Sequence, residues 1–402
     1  MLLSLALIII IGFGMSGILN RLKIPGLLGM IFTGIILGPS FFNLISSDIL
    51  DISPQLRQIA LIVILTRAGL SIDLADLKKV GRPAILMCFI PATLEIATVT
   101  VLAPTLLNVS YLDGAIMGCV VAAVSPAVIV PRMIMLMEKG YGMDKSIPQL
   151  IMAGASVDDI YVIVLFTSFL KMAQGSSFSF TSLVNVPVSI VSSLALGTLA
   201  GYALVRVFKT IHTRDTVKVL VILSFAFIFV SLEEALKGTF PLSGLLAVMA
   251  MGAAILKFYE PLAKRIMGKF SKIWVSGEII LFVLVGAAVN IEYLFHAGFN
   301  YLAVILIALS FRILGVLISL AKTKLNFQER LFCCIGYLPK ATVQAAIGAV
   351  PLAAGLESGG IILTIAVLAI IVTAPLGAIG VDLTYKRLLQ PSQSRSRPKT
   401  PQ

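Results

Sequence analysis

Thirteen apolar stretches separated by short polar connections leave this chain one architecture, a bundle of membrane-crossing helices. They fall at about 2–19, 26–45, 56–71, 83–106, 114–136, 148–170, 183–207, 217–236, 242–258, 273–291, 301–321, 331–353 and 361–385. In hydrocarbon every backbone N–H and C=O must be bonded inside the protein, which only helices and closed barrels achieve. These runs are continuous and do not alternate apolar with polar, so helices are expected. Of the 402 residues 58% are hydrophobic and 12% charged, against about 25% charged in soluble domains. The expected fold class is an all-α polytopic membrane protein with thirteen transmembrane helices.

Lysine and arginine test that count. The connections after the odd-numbered stretches, together with the tail, hold 25 of the 31 basic residues, whereas the alternate connections hold only Arg57, Lys171 and Lys237. The positive-inside rule then puts the N-terminus outside and the C-terminus in the cytosol. The net charge of +12 is thereby a topology signal, and nucleic-acid binding is not expected. The first stretch lacks a basic leader and a small-residue cleavage site, so it reads as a retained helix. Residues 389–402 read as a cytosolic tail whose last dozen residues are disordered. Cys88, Cys119, Cys333 and Cys334 all lie in apolar runs and suit packing better than disulfides or zinc. His212 and His296, the two histidines, fall in expected loops. Proton chemistry at membrane depth is left to carboxylates or lysine.

Five ionisable residues lie at that depth: Glu95, Asp158, Asp159, Arg312 and Lys340. Each costs roughly 2.5–3.5 kcal/mol to insert, so they must pair. Three acids and two bases leave one negative charge, which one sodium ion or one proton would neutralise. Two stretches look interrupted, one at Ser125-Pro126 and one at Pro339-Lys340. Proline removes an amide donor and frees carbonyls, and such breaks occur where backbone lines a transport cavity. A plain proline kink is the bland alternative. Glu95 precedes Arg312 by 217 residues and Pro126 precedes Pro339 by 213. These offsets map stretches 4, 5 and 6 onto 11, 12 and 13 in opposite orientation, which is the pattern of inverted repeats with two crossed interrupted helices.

Adjacent residues on a helix diverge by about 100°, so Asp158 and Asp159 address different neighbours. Asp159 is expected to face the ion, Asp158 to pair with Lys340, and Glu95 to brace Arg312. Arg67, near the cytosolic end of its stretch, reads as snorkelling to the interface. Glu278, near the cytosolic end of its stretch, reads either as a pH sensor in a funnel or as a solvated interfacial acid, and Glu233 and Glu234 at an outer mouth are treated likewise.

The segments Leu65-Thr-Arg-Ala-Gly-Leu70, Ala123-Val-Ser-Pro-Ala-Val-Ile-Val-Pro131, Gly140-Tyr-Gly142, Ser156-Val-Asp-Asp159, Phe311-Arg-Ile-Leu314 and Leu338-Pro-Lys-Ala-Thr-Val-Gln-Ala-Ala-Ile-Gly348 carry a family likeness. The chain resembles the monovalent cation–proton antiporter superfamily in its paired-aspartate branch, closest to the sodium/hydrogen antiporters with animal members. The resemblance implies a homodimer in a cell membrane, with a six-helix ion-carrying core and a dimerisation panel. On that division residues 1–82 give panel helices, 83–170 one core half, 171–300 a linker helix and further panel, 301–388 the second core half, and 389–402 the tail. It implies Asp159 as principal cation and proton carrier, Asp158 as its accessory, and a Glu95–Arg312 pair. Relatives of the NhaA type carry lysine where Arg312 stands, and an arginine does not release its proton; the exchange stoichiometry is therefore left open.

The function expected is exchange of cytosolic sodium or lithium for external protons by alternating access, without a cofactor and without enzymatic chemistry. Sodium is a hard ion suited to oxygen, so Asp158 and Asp159 are its candidate ligands, with Ser125, Ser156 and Thr342 beside them. An intramembrane aspartyl protease would need facing aspartates on separate helices and a Gly-x-Gly-Asp motif, which is missing from the sequence. A potassium-selective cation/proton efflux system and a sodium-coupled symporter of the same fold are the alternatives.

Overall fold

The computed structural model describes residues 1–22, 24–71, 81–174, 180–211, 213–236, 240, 242–289 and 291–392. Among them the regular structure is helix, apart from one isolated antiparallel bridge between Tyr141 and Pro391. The first helices are α1 (Leu2–Arg21), α2 (Gly26–Leu37), α3 (Ser47–Asp51), α4 (Ser53–Ser71) and α5 (Arg82–Leu107). Then come α6 (Tyr111–Ala122), α7 (Pro126–Lys139), α8 (Ile147–Ala173), α9 (Phe180–Thr210), α10 (Asp215–Ala235) and α11 (Gly244–Phe258). The last are α12 (Glu260–Ala287), α13 (Ile291–Ser319), α14 (Phe327–Gly336), α15 (Thr342–Ile347), α16 (Val350–Ala353) and α17 (Gly359–Leu388).

Each of the thirteen apolar stretches overlaps helix, and among the described residues seven helices are long and apolar enough by length and composition to cross a membrane. Two stretches are split. Stretch 5 becomes α6 and α7, and stretch 12 becomes α14, α15 and α16. Capping chemistry starts both split stretches. Ser110 accepts from the Asp113 amide while Asp113 accepts from the Ser110 amide, and Asn326 and Glu329 do the same for α14. Such reciprocal caps satisfy two of the amides that a helix start leaves unbonded. Gly140, at φ +75, closes α7 in the left-handed conformation that glycine adopts without strain.

Three expectations about connections are corrected. Arg57 and Lys171, expected in loops, lie inside α4 and α8. Residues 260–272, expected as a basic loop, are helix: α12 starts two residues after α11 ends. Leu262, Ala263, Ile266, Phe270 and Trp274 recur at helical spacing and are buried, while Lys264, Arg265, Lys269 and Lys272 fall between them. An amphipathic helix therefore forms where charge alone suggested a loop. His296 also sits on helix, at the start of α13; its side chain, like those of Ser156 and the basic residues Lys23, Lys78, Lys79 and Lys237, lies outside the described residues, as does His212.

In packing, α5 lies against α6, α8 and α13, while α12 lies against α2 and α4, and α9 against α11. The first residues of the tail are tied down, Ser392 of the stretch expected to be disordered included. The Gly142 amide donates to the Gln390 carbonyl (3.0 Å) and the Ser392 amide to the Gly140 carbonyl (2.7 Å). Residues beyond 392 lie outside the description.

Candidate ion-binding site

Both split stretches lose helical backbone at their prolines. Residues 123–125 separate α6 from α7, and residues 337–341 separate α14 from α15. Each break exposes backbone groups that membrane burial penalises if left unpaired, and several of them have a buried partner. The Ala122 carbonyl accepts from Arg312 Nη1, and the Ala123 carbonyl accepts from Gln344 Nε2 at 2.7 Å. The Val124 amide donates to Asp158 Oδ2 (2.9 Å) and the Ser125 amide to the Pro339 carbonyl (2.8 Å). The second break is held by Arg312 Nε on the Tyr337 carbonyl (2.8 Å) and by the Lys340 amide on Thr373 Oγ1 (3.0 Å). The two breaks thus touch directly. Carbonyls expected to be free at the breaks are already occupied at Ala122, Ala123, Tyr337 and Pro339.

Two glycines on neighbouring helices make room for this arrangement. A Cβ on Gly377 of α17 would run into the Pro339 ring, and one on Gly154 of α8 would run into the Tyr337 hydroxyl.

Four of the five charges expected at membrane depth form one chain. Arg312 Nη2 lies 2.9 Å from Asp158 Oδ2, Arg312 Nη1 lies 2.8 Å from Glu95 Oε2, and Lys340 Nζ lies 2.8 Å from Glu95 Oε1. All four side chains are at most 1% exposed. Taking such ions out of water costs several kcal/mol each, which attraction offsets only in well-bonded geometry. Arg312 has that geometry: five donors in a rigid fork, reaching two carboxylates and two carbonyls, with its guanidinium carbon 5.4 Å from the Tyr337 ring centroid.

The expected Glu95–Arg312 pair is present. The expected Asp158–Lys340 pair is not: Asp158 bonds to Arg312, and Lys340 bonds to Glu95. The forked guanidinium spans α5 and α8 at once, which leaves the second oxygen of Glu95 for the lysine. Asp159 stands outside this chain. Among the described residues it makes no ion pair, it is 6% exposed, and its Oδ1 is buried without a hydrogen-bond partner. Three acids and two bases therefore place the surplus negative charge on Asp159. Ser125 Oγ and Thr342 Oγ1 lie 3.4 Å apart and both residues are buried; Ser156 sits on α8 just before Asp158, its side chain outside the description.

Gln344, Thr373 and Tyr337 belong to the site and were missed by reading charges alone. Gln344 is fully buried, its Nε2 is used on Ala123, and its Oε1 has no partner. A signal for it existed: Gln344 and Thr342 are the polar side chains in the apolar run from Ala341 to Gly348.

A cavity of about 540 Å³ opens at the end of the bundle expected to face outside, between α4, α8, α10, α15 and α16. Glu233, Glu234 and Lys171 line its mouth, and Phe166 and Ala346 are among its walls. Phe166 is two helical turns from Asp159, about 10 Å along α8. Lys171 Nζ lies 3.0 Å from Glu233 Oε1 and donates to the Leu242 carbonyl at 2.7 Å, so Glu233 is paired and not simply solvated.

The profile of the family described as "Sodium/hydrogen exchanger, transmembrane" matches residues 3–386. Sodium/hydrogen exchanger 9B2 of Mus musculus is 32% identical over 398 residues, covering 96% of this chain and 72% of its own length. Sodium/hydrogen exchanger 9B1 of Homo sapiens is 30% identical over 384 residues, covering 91% and 73%. Among solved structures, the sodium proton antiporter MjNhaP1 from Methanocaldococcus jannaschii superposes with a TM-score of 0.78 at 22% identity, covering 95% of each chain.

Proposed function

The chain belongs to the sodium/hydrogen exchanger family and is a multi-pass sodium/proton antiporter, not an enzyme; from that premise we propose that Asp159 carries the exchanged sodium and proton in turn. The observation behind this assignment is that Asp159 is the one acid of the buried quintet outside the ion-pair chain. Its charge is uncompensated at depth, so a cation or a proton must accompany it. The two compete for the same carboxylate, and that competition couples the fluxes without a second site. Exchange draws on ion gradients and needs no resident cofactor.

Sodium is the cargo. Asp159 and, as accessory, Asp158 supply carboxylate oxygen, with hydroxyl oxygens from Ser125, Ser156 and Thr342. Asp158 Oδ1 has no hydrogen-bond partner, while its Oδ2 is held by Arg312 and Val124. Asp158 thus offers one oxygen without leaving its pair. Arg312 stays protonated throughout, and Glu95 and Lys340 brace it.

The reading extends to thirteen spans with the N-terminus outside, in a cell membrane, and to two inverted repeats, 83–170 and 301–388, whose interrupted helices cross at the site. Matching caps support the repeat: Ser110–Asp113 opens α6 and Asn326–Glu329 opens α14. Each capping acid also reaches the opposite half. Asp113 Oδ1 accepts from Ser358 at 2.7 Å, and Glu329 Oε2 lies 2.7 Å from Lys145 Nζ. Residues 1–82 and 171–300 would form the panel against which this core moves, and through which two copies pair. Access then alternates as core slides past panel, with the 540 Å³ cavity as the outer route.

Purified protein in liposomes tests this. A sodium pulse should move protons, and Asp159→Asn should stop it while leaving the fold intact. Sodium-driven proton flux retained in Asp159→Asn would overturn the carrier assignment; wild-type protein that moves no protons would overturn exchange itself. Repeating the pulse at clamped potentials reads the stoichiometry from the net charge moved.

A further inference from the structure

Arg57 is a buried cation that the exchange mechanism does not use. It lies one turn into α4, is 7% exposed, and forms part of the wall of two adjoining cavities at the outer end of the bundle. A guanidinium carries five N–H donors. The structure gives Arg57 one hydrogen bond, from Nη1 to the Leu284 carbonyl at a long 3.4 Å. Among the described residues no carboxylate is within ion-pair reach of it. Leu284 is in the last turn of α12, whose partial negative charge offsets only part of a full positive one. A buried charge left this far from neutral costs several kcal/mol unless a counter-ion joins it.

The two cavities differ in what they offer. The first holds Glu233 and Glu234 and suits cations. The second, of about 730 Å³, lies between α3, the start of α4, the end of α12 and α16. Among the described residues no acidic one lines it; those lining it are Arg57, Ser40 and Ser53 as the polar ones, with apolar residues that include Leu50, Leu284 and Leu352. Ser40 spends its proton on the Val289 carbonyl (2.9 Å), which leaves Arg57 as the charged anchor. An inorganic anion would satisfy the arginine but leave most of this wall wet. A molecule with an apolar body and a single anionic end matches both parts.

We propose that this cavity binds an anionic amphiphile, an aliphatic chain ending in one carboxylate or phosphate, with the anionic group on Arg57. The walls come from α4 and α12 of the panel and from α16 of the core half, so an occupant spans the two bodies and holds them together. It therefore slows exchange. That consequence rests on the proposed core-and-panel motion; the binding does not.

The test uses full-length protein in phosphatidylcholine nanodiscs, with radiolabelled octanoate as the probe, and octanol and octylammonium as competitors at matched sodium. Octanoate should bind saturably, with neither competitor displacing it. Arg57→Gln should weaken binding about tenfold or more, the loss of a charge-assisted hydrogen bond, and Arg57→Lys should retain part of it. Leu352→Trp, at a half-exposed position on the second cavity's wall, should block binding by filling the space, and stands in if Arg57→Gln does not fold. In liposomes octanoate should slow sodium-driven proton flux in wild type but not in Arg57→Gln. Displacement of octanoate when phosphatidylglycerol enters the nanodisc identifies a lipid phosphate as the natural occupant; no displacement identifies a soluble carboxylate. Absent saturable binding, equal binding to Arg57→Gln, or equal competition by octanol overturns the site. Binding as expected with unchanged flux overturns the clamp. A wild-type protein that binds octanoate but exchanges nothing would instead sink the exchange reading and leave the site standing.

Discussion

Arg312 holds Asp158 and Glu95 at the same time, with Nη2 2.9 Å from Asp158 and Nη1 2.8 Å from Glu95. One residue of α13 therefore fixes α8 to α5, and through Lys340 on Glu95 it also reaches the break before α15. The adjacent aspartates are separated in role by this link. Asp158 is held by Arg312, whereas Asp159 makes no ion pair among the described residues, as the proposed carrier role requires.

That separation predicts opposite stability effects from neighbouring positions. Asp158→Ala strands one prong of Arg312 and the Val124 amide, and should cost about 3–5 kcal/mol, the usual loss on breaking a buried pair. Asp159→Ala removes an unpaired charge and should leave the melting temperature in detergent unchanged or raised. Equal destabilisation by the two would contradict the assignment of roles.

Gln344→Leu keeps the volume but removes the donor to the Ala123 carbonyl. A buried carbonyl left unbonded costs about 1–3 kcal/mol, and the carbonyl lies in the first break, next to Val124 and Ser125. Sodium affinity should fall along with thermal stability. A melting temperature equal to wild type would mean that the Ala123 carbonyl is satisfied in another way.

Gly377→Ala puts a methyl into the Pro339 ring. Overpacking of this kind costs about 1–3 kcal/mol, and the ring belongs to the second break. Exchange rate and stability should both drop. Gly17→Ala, where a Cβ meets nothing within 4 Å, serves as the control and should change neither.

The Lys145–Glu329 pair tests the link between repeats. Lys145 is 37% exposed and Glu329 6%, so solvent screens the pair and its coupling should be near the surface range of about 0.5–1 kcal/mol. A double-mutant cycle of Lys145→Met and Glu329→Gln, read by thermal unfolding at low and high salt, measures it. The coupling should shrink as salt rises. A salt-independent coupling would point to packing and not to charge.

Much of this was legible in the sequence. Hydropathy is a property of consecutive residues, so all thirteen apolar stretches could be placed on helix before any fold was known. Proline chemistry is also local, and Pro126 and Pro339 do mark the two breaks. The cost of burying charge singled out Glu95, Asp158, Asp159, Arg312 and Lys340 wherever the chain might go. Where charge was used as a proxy for a loop it failed: residues 260–272 and Arg57 are helical, because a lysine or arginine on a helix needs only one polar face or one cavity to be accommodated.

The partners of the buried charges were decided by the tertiary structure. Pairing depends on how each helix is rotated about its axis and on side-chain reach, neither of which the residue order encodes. A rotation of about 100° separates Asp158 from Asp159, and it was the fork of Arg312, not Lys340, that met the first of them. The tertiary structure likewise gave the carbonyls of the breaks to Gln344 and Arg312, and put Arg57 against a cavity without an acid beside it. The sequence alone determined that these charges had to be neutralised, because the membrane admits no other outcome; which atom neutralises which was set by the packing of helices distant along the chain.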